Sequence, residues 1–308
     1  MKLPRFNQKG IAHILAPVLF IVIFAAIGGY IVLKSNAAPV PKETKLADST
    51  HIYYATGAIP PPDNVHTHTD PRAPSNSGYQ TRKLPSSVDL TKWAPPVKNQ
   101  GPVGSCTAWS IDYNLFGWYV IKYHHVGGMH SPMYTYAQIV NGRNTGTTFE
   151  DNLWIGLTKG IPAVKDVKYP YFNYHHKPTS KETKKAAKYK IKSYFNIFTG
   201  TQYGDTAELL LKYQLANRGP AVIAIPVYKE FDKANSKNSL VGLPADKNTL
   251  RGYHGLAVFG YNSKGLVIEN SWGKAWGDKG FGTLSWDFVN QYAVESSAIN
   301  GITVDKSL

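Results

Sequence analysis

From Ile11 to Leu33 the chain is apolar almost without a break, interrupted mainly by His13, Pro17 and the pair Gly28-Gly29. Such a stretch has no polar face for water, and it exceeds the about 20 residues that carry a helix across a bilayer core. Lys2, Arg5 and Lys9 form a basic flank over 1–10. A positive flank on that side predicts a cytoplasmic N-terminus and a single-pass protein of the cell membrane, with everything beyond residue 33 outside the cytoplasm. The alternative for 11–33 is the apolar core of a cleaved signal, because Ser35-Asn36-Ala37 offers small residues where a signal peptidase reads. That reading makes the protein secreted.

Over 34–83 the pattern turns polar and proline-rich, with Pro39, Pro41, Pro60-Pro61-Pro62, Pro71 and Pro74. Prolines at this density break helices and favour extended chain. The segment is expected to be a linker and spacer, or at most a short pro-segment that occludes a cleft. His51, His66, His68 and Asp70 fall within it. A metal site needs a preformed geometry that an extended strap does not supply, so no metal is expected.

From Leu84 to Leu308 the pattern is that of a folded domain. Ser105 to Tyr123 carries Ala108, Trp109, Ile111, Leu115, Phe116, Trp118, Tyr119, Val120 and Ile121. Apolar residues on nearly every side predict a buried helix. Further on, Ala221-Val222-Ile223-Ala224-Ile225, Leu256 to Tyr261 and Leu266 to Glu269 are short, partly β-branched runs that predict strands. A helix-rich first half and a strand-rich second half predict an α+β protein of two lobes around a cleft.

Composition changes this picture little. With 43% hydrophobic and 13% aromatic residues the chain can build a substantial core, which excludes disorder throughout. The net charge of +14 favours anionic surroundings, yet the densest basic run, Lys177 to Lys192, lacks arginines and any nucleic-acid motif. It reads as a solvated face, and no nucleic-acid partner is expected. Cys106 is the one cysteine, so no intramolecular disulfide forms.

Cys106 follows the loop Val97-Lys98-Asn99-Gln100-Gly101-Pro102-Val103-Gly104-Ser105, where the buried helix begins. A helix N-terminus favours an anion, and the thiolate is the nucleophilic form of cysteine. Gly104 permits close approach of a second backbone.

In these residues the chain resembles the papain-like cysteine peptidases, in order over most of Leu84 to Thr303. Leu84-Pro85-Ser86-Ser87-Val88-Asp89 looks like the family's mature N-terminus, and Gln100 stands six residues before Cys106. Gly252-Tyr253-His254-Gly255 looks like its histidine strand, and Asn270-Ser271-Trp272-Gly273 like its asparagine and tryptophan block, sixteen positions from His254. The resemblance implies a two-lobe fold with a helical first lobe and an antiparallel, barrel-like second lobe. It also implies a thiol-dependent endopeptidase acting through an acyl-enzyme thioester, with no cofactor and no metal, on peptide or protein substrates, as a monomer.

The roles it implies are Cys106 as nucleophile, His254 as base, Asn270 as the group orienting the imidazole, and Gln100 as oxyanion donor. Gly104, Ser105 and Trp272 would line the substrate site; Trp276 reads as packing. His124-His125 and His175-His176 read as surface or helix-end residues. Three departures stand out. Val103 replaces a cysteine, Thr107 replaces an aromatic whose volume Trp109 would partly fill, and Asn141 to Gly146 stands where the family has a paired-glycine strip. A catalytically silent binding protein of the cell envelope is the rival class, disfavoured because all four catalytic positions are occupied.

Overall fold

The computed structural model describes residues 55–61, 83–124, 129–201 and 203–305. The apolar stretch 11–33, the linker on both sides of 55–61, and His51, His66, His68 and Asp70 lie outside these residues. Among the described residues no helix is long and apolar enough to cross a membrane.

In chain order the main elements are β1 (Val88–Asp89), α1 (Cys106–Ala108), α2 (Phe116–His124), α3 (Pro132–Val140), α4 (Phe149–Thr158) and α5 (Ser180–Ala186). β2 (Tyr189–Ile191), β3 (Tyr194–Thr199), α6 (Asp205–Asn217), β4 (Ala221–Val227), α7 (Lys229–Asp232) and β5 (Leu240–Val241) follow. The chain continues through β6 (Gly252–Asn262), β7 (Gly265–Glu269), β8 (Phe281–Ser285), α8 (Trp286–Tyr292), β9 (Glu295–Ile299) and β10 (Ile302–Val304).

The helix expected over Ser105 to Tyr123 is helical from Cys106 to His124, with a difference in its middle. Trp109–Leu115 is π-helical, and the Phe116 N–H bonds back to the Ile111 carbonyl, one residue beyond the α-helical spacing. Widened turns of this kind occur mostly as short insertions near functional sites. α3 and α4 begin on side-chain caps: Ser131 accepts from the Tyr134 N–H, and Thr148 and Asp151 close a reciprocal capping box.

The three predicted strands fall inside β4, β6 and β7. The large sheet runs β3-β9-β4-β6-β7-β8-β5, with β1 also on β6. Pairing is antiparallel except between β5 and β8. Side chains alternate across a strand, so β4 sends Ile223 and Ile225 to one face and Val222 and Ala224 to the other. The first pair packs with Leu211, Leu256, Val258 and Trp272, the second with Ile111, Leu115, Trp118 and Phe149 of the helical region. Burial on both faces explains why β4 reads as an unbroken apolar run. It also seats β6, and hence His254, directly against the helix that starts at Cys106.

Candidate active site

Cys106 is the first residue of α1 and is fully buried. Its Sγ accepts the Gly255 N–H at 3.4 Å, so the residue after His254 touches the sulfur. His254 sits in β6 opposite Ile225 of β4. Its Nε2 pairs with Asn270 Oδ1 at 2.8 Å, which puts the proton of a neutral ring on Nε2. Nδ1 is buried without a hydrogen-bond partner.

Aromatic rings wall this imidazole. Trp272 lies against it with centroids 4.7 Å apart, and Phe231 meets it edge-on at 5.9 Å. Trp276 packs behind, 4.7 Å from Phe231, with its indole N–H on the Phe231 carbonyl at 2.8 Å. Asn270 follows β7, is fully buried, and has its backbone N–H on the Gly280 carbonyl at 2.9 Å.

Gln100 reaches the same place from the loop before α1. Its backbone N–H donates to the Ser271 carbonyl at 2.7 Å, and its Oε1 accepts from Ser271 Oγ at 2.5 Å. These bonds fix which end of the amide is the donor, and Nε2 is directed at the Ala55 carbonyl at 3.0 Å and the Val103 carbonyl at 2.9 Å. Ser271 was not singled out from sequence. Its position between Asn270 and Trp272 was the available signal.

Residues 55–61 cross the site instead of standing away from it as a spacer. The Gly57 and Ala58 N–H groups both donate to the Tyr253 carbonyl at 3.1 Å, next to His254. On the other wall the Thr147 N–H donates to the Gly57 carbonyl at 2.9 Å, and the Ile59 N–H to the Thr147 carbonyl at 3.0 Å. Contact is so close that a Cβ on Gly57 would stand 2.0 Å from the Gly104 carbonyl oxygen, and one on Gly146 2.4 Å from that of Gly57. The Ala55 carbonyl also accepts from the Trp272 indole at 3.3 Å.

Under this cover, burial pushes the Cys106 thiol up to about 11, with backbone N–H groups of Gly255 and Gly57 pulling the other way. Burial lowers His254 to about 4, against the bond to Asn270. The covered pair is therefore neutral, since desolvation penalises both charged forms.

His125 and the side chain of His124 lie outside the described residues. Gly104 donates its N–H to Asn144 Oδ1 at 2.8 Å, which ties the Asn141 to Gly146 strip to the loop before Cys106. Ser105 is buried at the N-cap, its hydroxyl unpartnered and not capping the helix. Trp109 packs on Tyr113 and Tyr171. His176 pairs with Glu182 at 3.0 Å, and His175 is exposed. His130, also buried, is held by the Ile161 carbonyl at 2.7 Å through Nδ1.

The sequence profile described as papain family cysteine protease matches residues 84–302, and the chain belongs to that family. It is 26% identical over 249 residues to cathepsin K of Mus musculus, covering 79% of this chain and 71% of that protein. It is 26% identical over 237 residues to cysteine proteinase 3 of Entamoeba histolytica, covering 74% and 71%. Among solved structures it is similar to xylellain, a cysteine protease from Xylella fastidiosa, with a TM-score of 0.66 and 25% identity over 85% of this chain and 100% of that one. A procathepsin B from Trypanosoma congolense shares the fold at 17% identity and a TM-score of 0.61, over 81% of this chain and 87% of that one. The protein is a cysteine-type peptidase, with peptide or protein substrates.

Proposed function

We propose that the chain is an endopeptidase in which Cys106, His254, Asn270 and Gln100 carry the chemistry and residues 55–61 hold it latent. His254 Nδ1 takes the thiol proton, and Sγ attacks the scissile carbonyl carbon. Gln100 Nε2 and the Cys106 N–H stabilise the oxyanion. When the C–N bond breaks, the proton on Nδ1 passes to the leaving amine, and water activated by the same nitrogen then hydrolyses the thioester. Asn270 keeps the ring in the one tautomer that serves. Gly104, Ser105 and Trp272 line the path of the substrate.

The observation that carries this reading is the Nε2 bond to Asn270, which leaves Nδ1 as the free nitrogen of the residue just before Gly255, whose N–H reaches the Cys106 sulfur. Latency is supported by the Ala55 carbonyl, which occupies the Gln100 donor that an oxyanion requires. With 55–61 displaced by Gly57→Leu, whose side chain has no room against Gly104, Cys106→Ala and His254→Ala are expected to abolish peptide hydrolysis, a loss of at least about 10⁴-fold. Both should also lose labelling by an epoxide thiol reagent, with the fold intact by circular dichroism. Hydrolysis at the rate of Gly57→Leu alone in either variant rejects the reading.

The enzyme acts as a monomer outside the cytoplasmic membrane, anchored by 11–33; the basic flank before that apolar stretch supports this orientation. Carbonate extraction of membranes tests the anchor. Retention in the pellet is expected, and release into the medium with a new N-terminus near Ala38 would show secretion instead.

A further inference from the structure

Beneath the helix that bears Cys106 lies a group of polar side chains that the acyl-transfer steps do not use. Thr107, Asp112, Thr135, Thr147 and Asn152 are each 1% exposed or less. The hydroxyls of Thr107 and Thr147 are hydrogen-bonded to each other. Asn152 Nδ2 donates to Thr147 Oγ1 at 2.8 Å and to the Thr148 carbonyl at 2.8 Å, and reaches Thr107 Oγ1 at 3.3 Å. Behind it, Thr135 Oγ1 reaches Asn152 Oδ1 at 3.3 Å and donates to Asp112. Burying such groups is costly unless they are paired; the Thr107, Thr147 and Asn152 side chains are paired, with Asp112 Oδ1 the one atom of the group left without a partner, and paired members are held in one arrangement.

Two adjacent members of the network border the site. Thr107 follows the nucleophile. Thr147 presents its backbone to whatever lies in the cleft, giving its N–H to Gly57 and taking the Ile59 N–H. One side chain of the network is thus attached to the residue that carries the sulfur's backbone onward, and another to the edge that pairs with an extended chain. Valine matches threonine in shape, so a packing role alone would tolerate it at either position.

We propose that Thr107, Thr147 and Asn152 act as positioning residues that set the peptide-pairing edge at Thr147 in register with Cys106. The proposal rests on the reading that residues 55–61 lie along the wall a peptide substrate uses. Removing the Thr147 hydroxyl takes a 2.8 Å acceptor from the Asn152 amide, removing that of Thr107 takes the partner of the Thr147 hydroxyl, and either change frees the edge to shift. The thiol and imidazole, held by β6 and by Asn270, are unaffected.

The test uses the full chain, in which 55–61 is itself the bound peptide. Amide hydrogen exchange at Ile59 reports its bond to Thr147. In Thr147→Val and Thr107→Val this exchange is expected to rise about tenfold, the scale of one net hydrogen bond, with the amides of α4 unchanged. Thr147→Ser and Thr107→Ser restore the hydroxyl and should exchange like the unsubstituted chain. With 55–61 displaced by Gly57→Leu, hydrolysis of an extended peptide by the valine variants should show a raised KM with kcat unchanged. Unaltered Ile59 exchange in both valine variants overturns the proposal, as does equal loosening by serine and valine. Because exchange needs no turnover, it decides the proposal even if the endopeptidase reading fails.

Discussion

The two walls of the cleft are built from opposite materials. On the wall of Cys106 the neighbours are hydroxyls, amides and backbone: Gln100, Ser271, Asn144, Thr107, Thr147 and Asn152. On the wall of His254 they are rings: Trp272, Phe231 and Trp276. In the proposed mechanism the difference follows from what each group has to do. A carbonyl carbon must meet the sulfur within a few tenths of an ångström, and directional hydrogen bonds set such a distance. The imidazole already has its direction from Asn270, and needs that one bond kept dry, which aromatic surface does.

The largest test of this contrast removes a ring. Phe231→Ala opens a hole beside both Trp272 and His254 and should cost about 3–5 kcal/mol in urea unfolding. It also lets water reach the imidazole, so the His254 pKa should rise from about 4 toward its ordinary 6.5. The sign of the pH dependence follows. Between 6.5 and 4 the unfolded chain binds a proton that the folded His254 refuses, so stability falls as pH falls. The variant has less of that loss, and its deficit against the unsubstituted chain should shrink over the same window. A constant deficit would separate the rings from the base.

On the polar wall the corresponding change is Gln100→Ala, expected to lower kcat on the order of 10²–10³-fold, the usual cost of one oxyanion donor. The fold should survive, because the Gln100 backbone bond to Ser271 remains. Ser271→Ala is the mildest. It leaves Gln100 in place but frees its amide to turn, for a loss of about tenfold or less in kcat, the worth of about one hydrogen bond. If Ser271→Ala equals Gln100→Ala, orientation of the amide and not its presence is what the wall supplies.

Each wall was legible in the sequence only in part: Cys106 and Gln100 on one and Trp272 on the other could be read, whereas Phe231 and the threonines behind Cys106 could not. Trp272, His254 and Asn270 stand in a block with a fixed interval, and β4, β6 and β7 announce themselves because strands buried on both faces are apolar throughout. Thr107 read only as a missing aromatic, since hydroxyls brought together from Thr107 and Thr147, far apart in the chain, leave no periodic mark. The π-helical turns at 109–115 were equally silent, because apolar residues all round a helix carry no phase from which a widened turn can be read. For 55–61, proline density gave extended chain but no address. Its place in the cleft is set by the backbone of Gly57, Ala58 and Ile59, and backbone bonds have no residue signature. The two-residue strands β1 and β5 were too short to show a pattern.

The most direct test of the whole account is the pH dependence of Cys106 alkylation by iodoacetamide in the full chain, with and without Gly57→Leu. A side chain at 57 has no room against Gly104 and should expel 55–61. The covered thiol should react only as pH approaches about 11. In Gly57→Leu the reaction should move to near-neutral pH, and His254→Ala should cancel that move. Identical profiles with and without Gly57→Leu, or a shift that persists without His254, would contradict a covered acid–base pair.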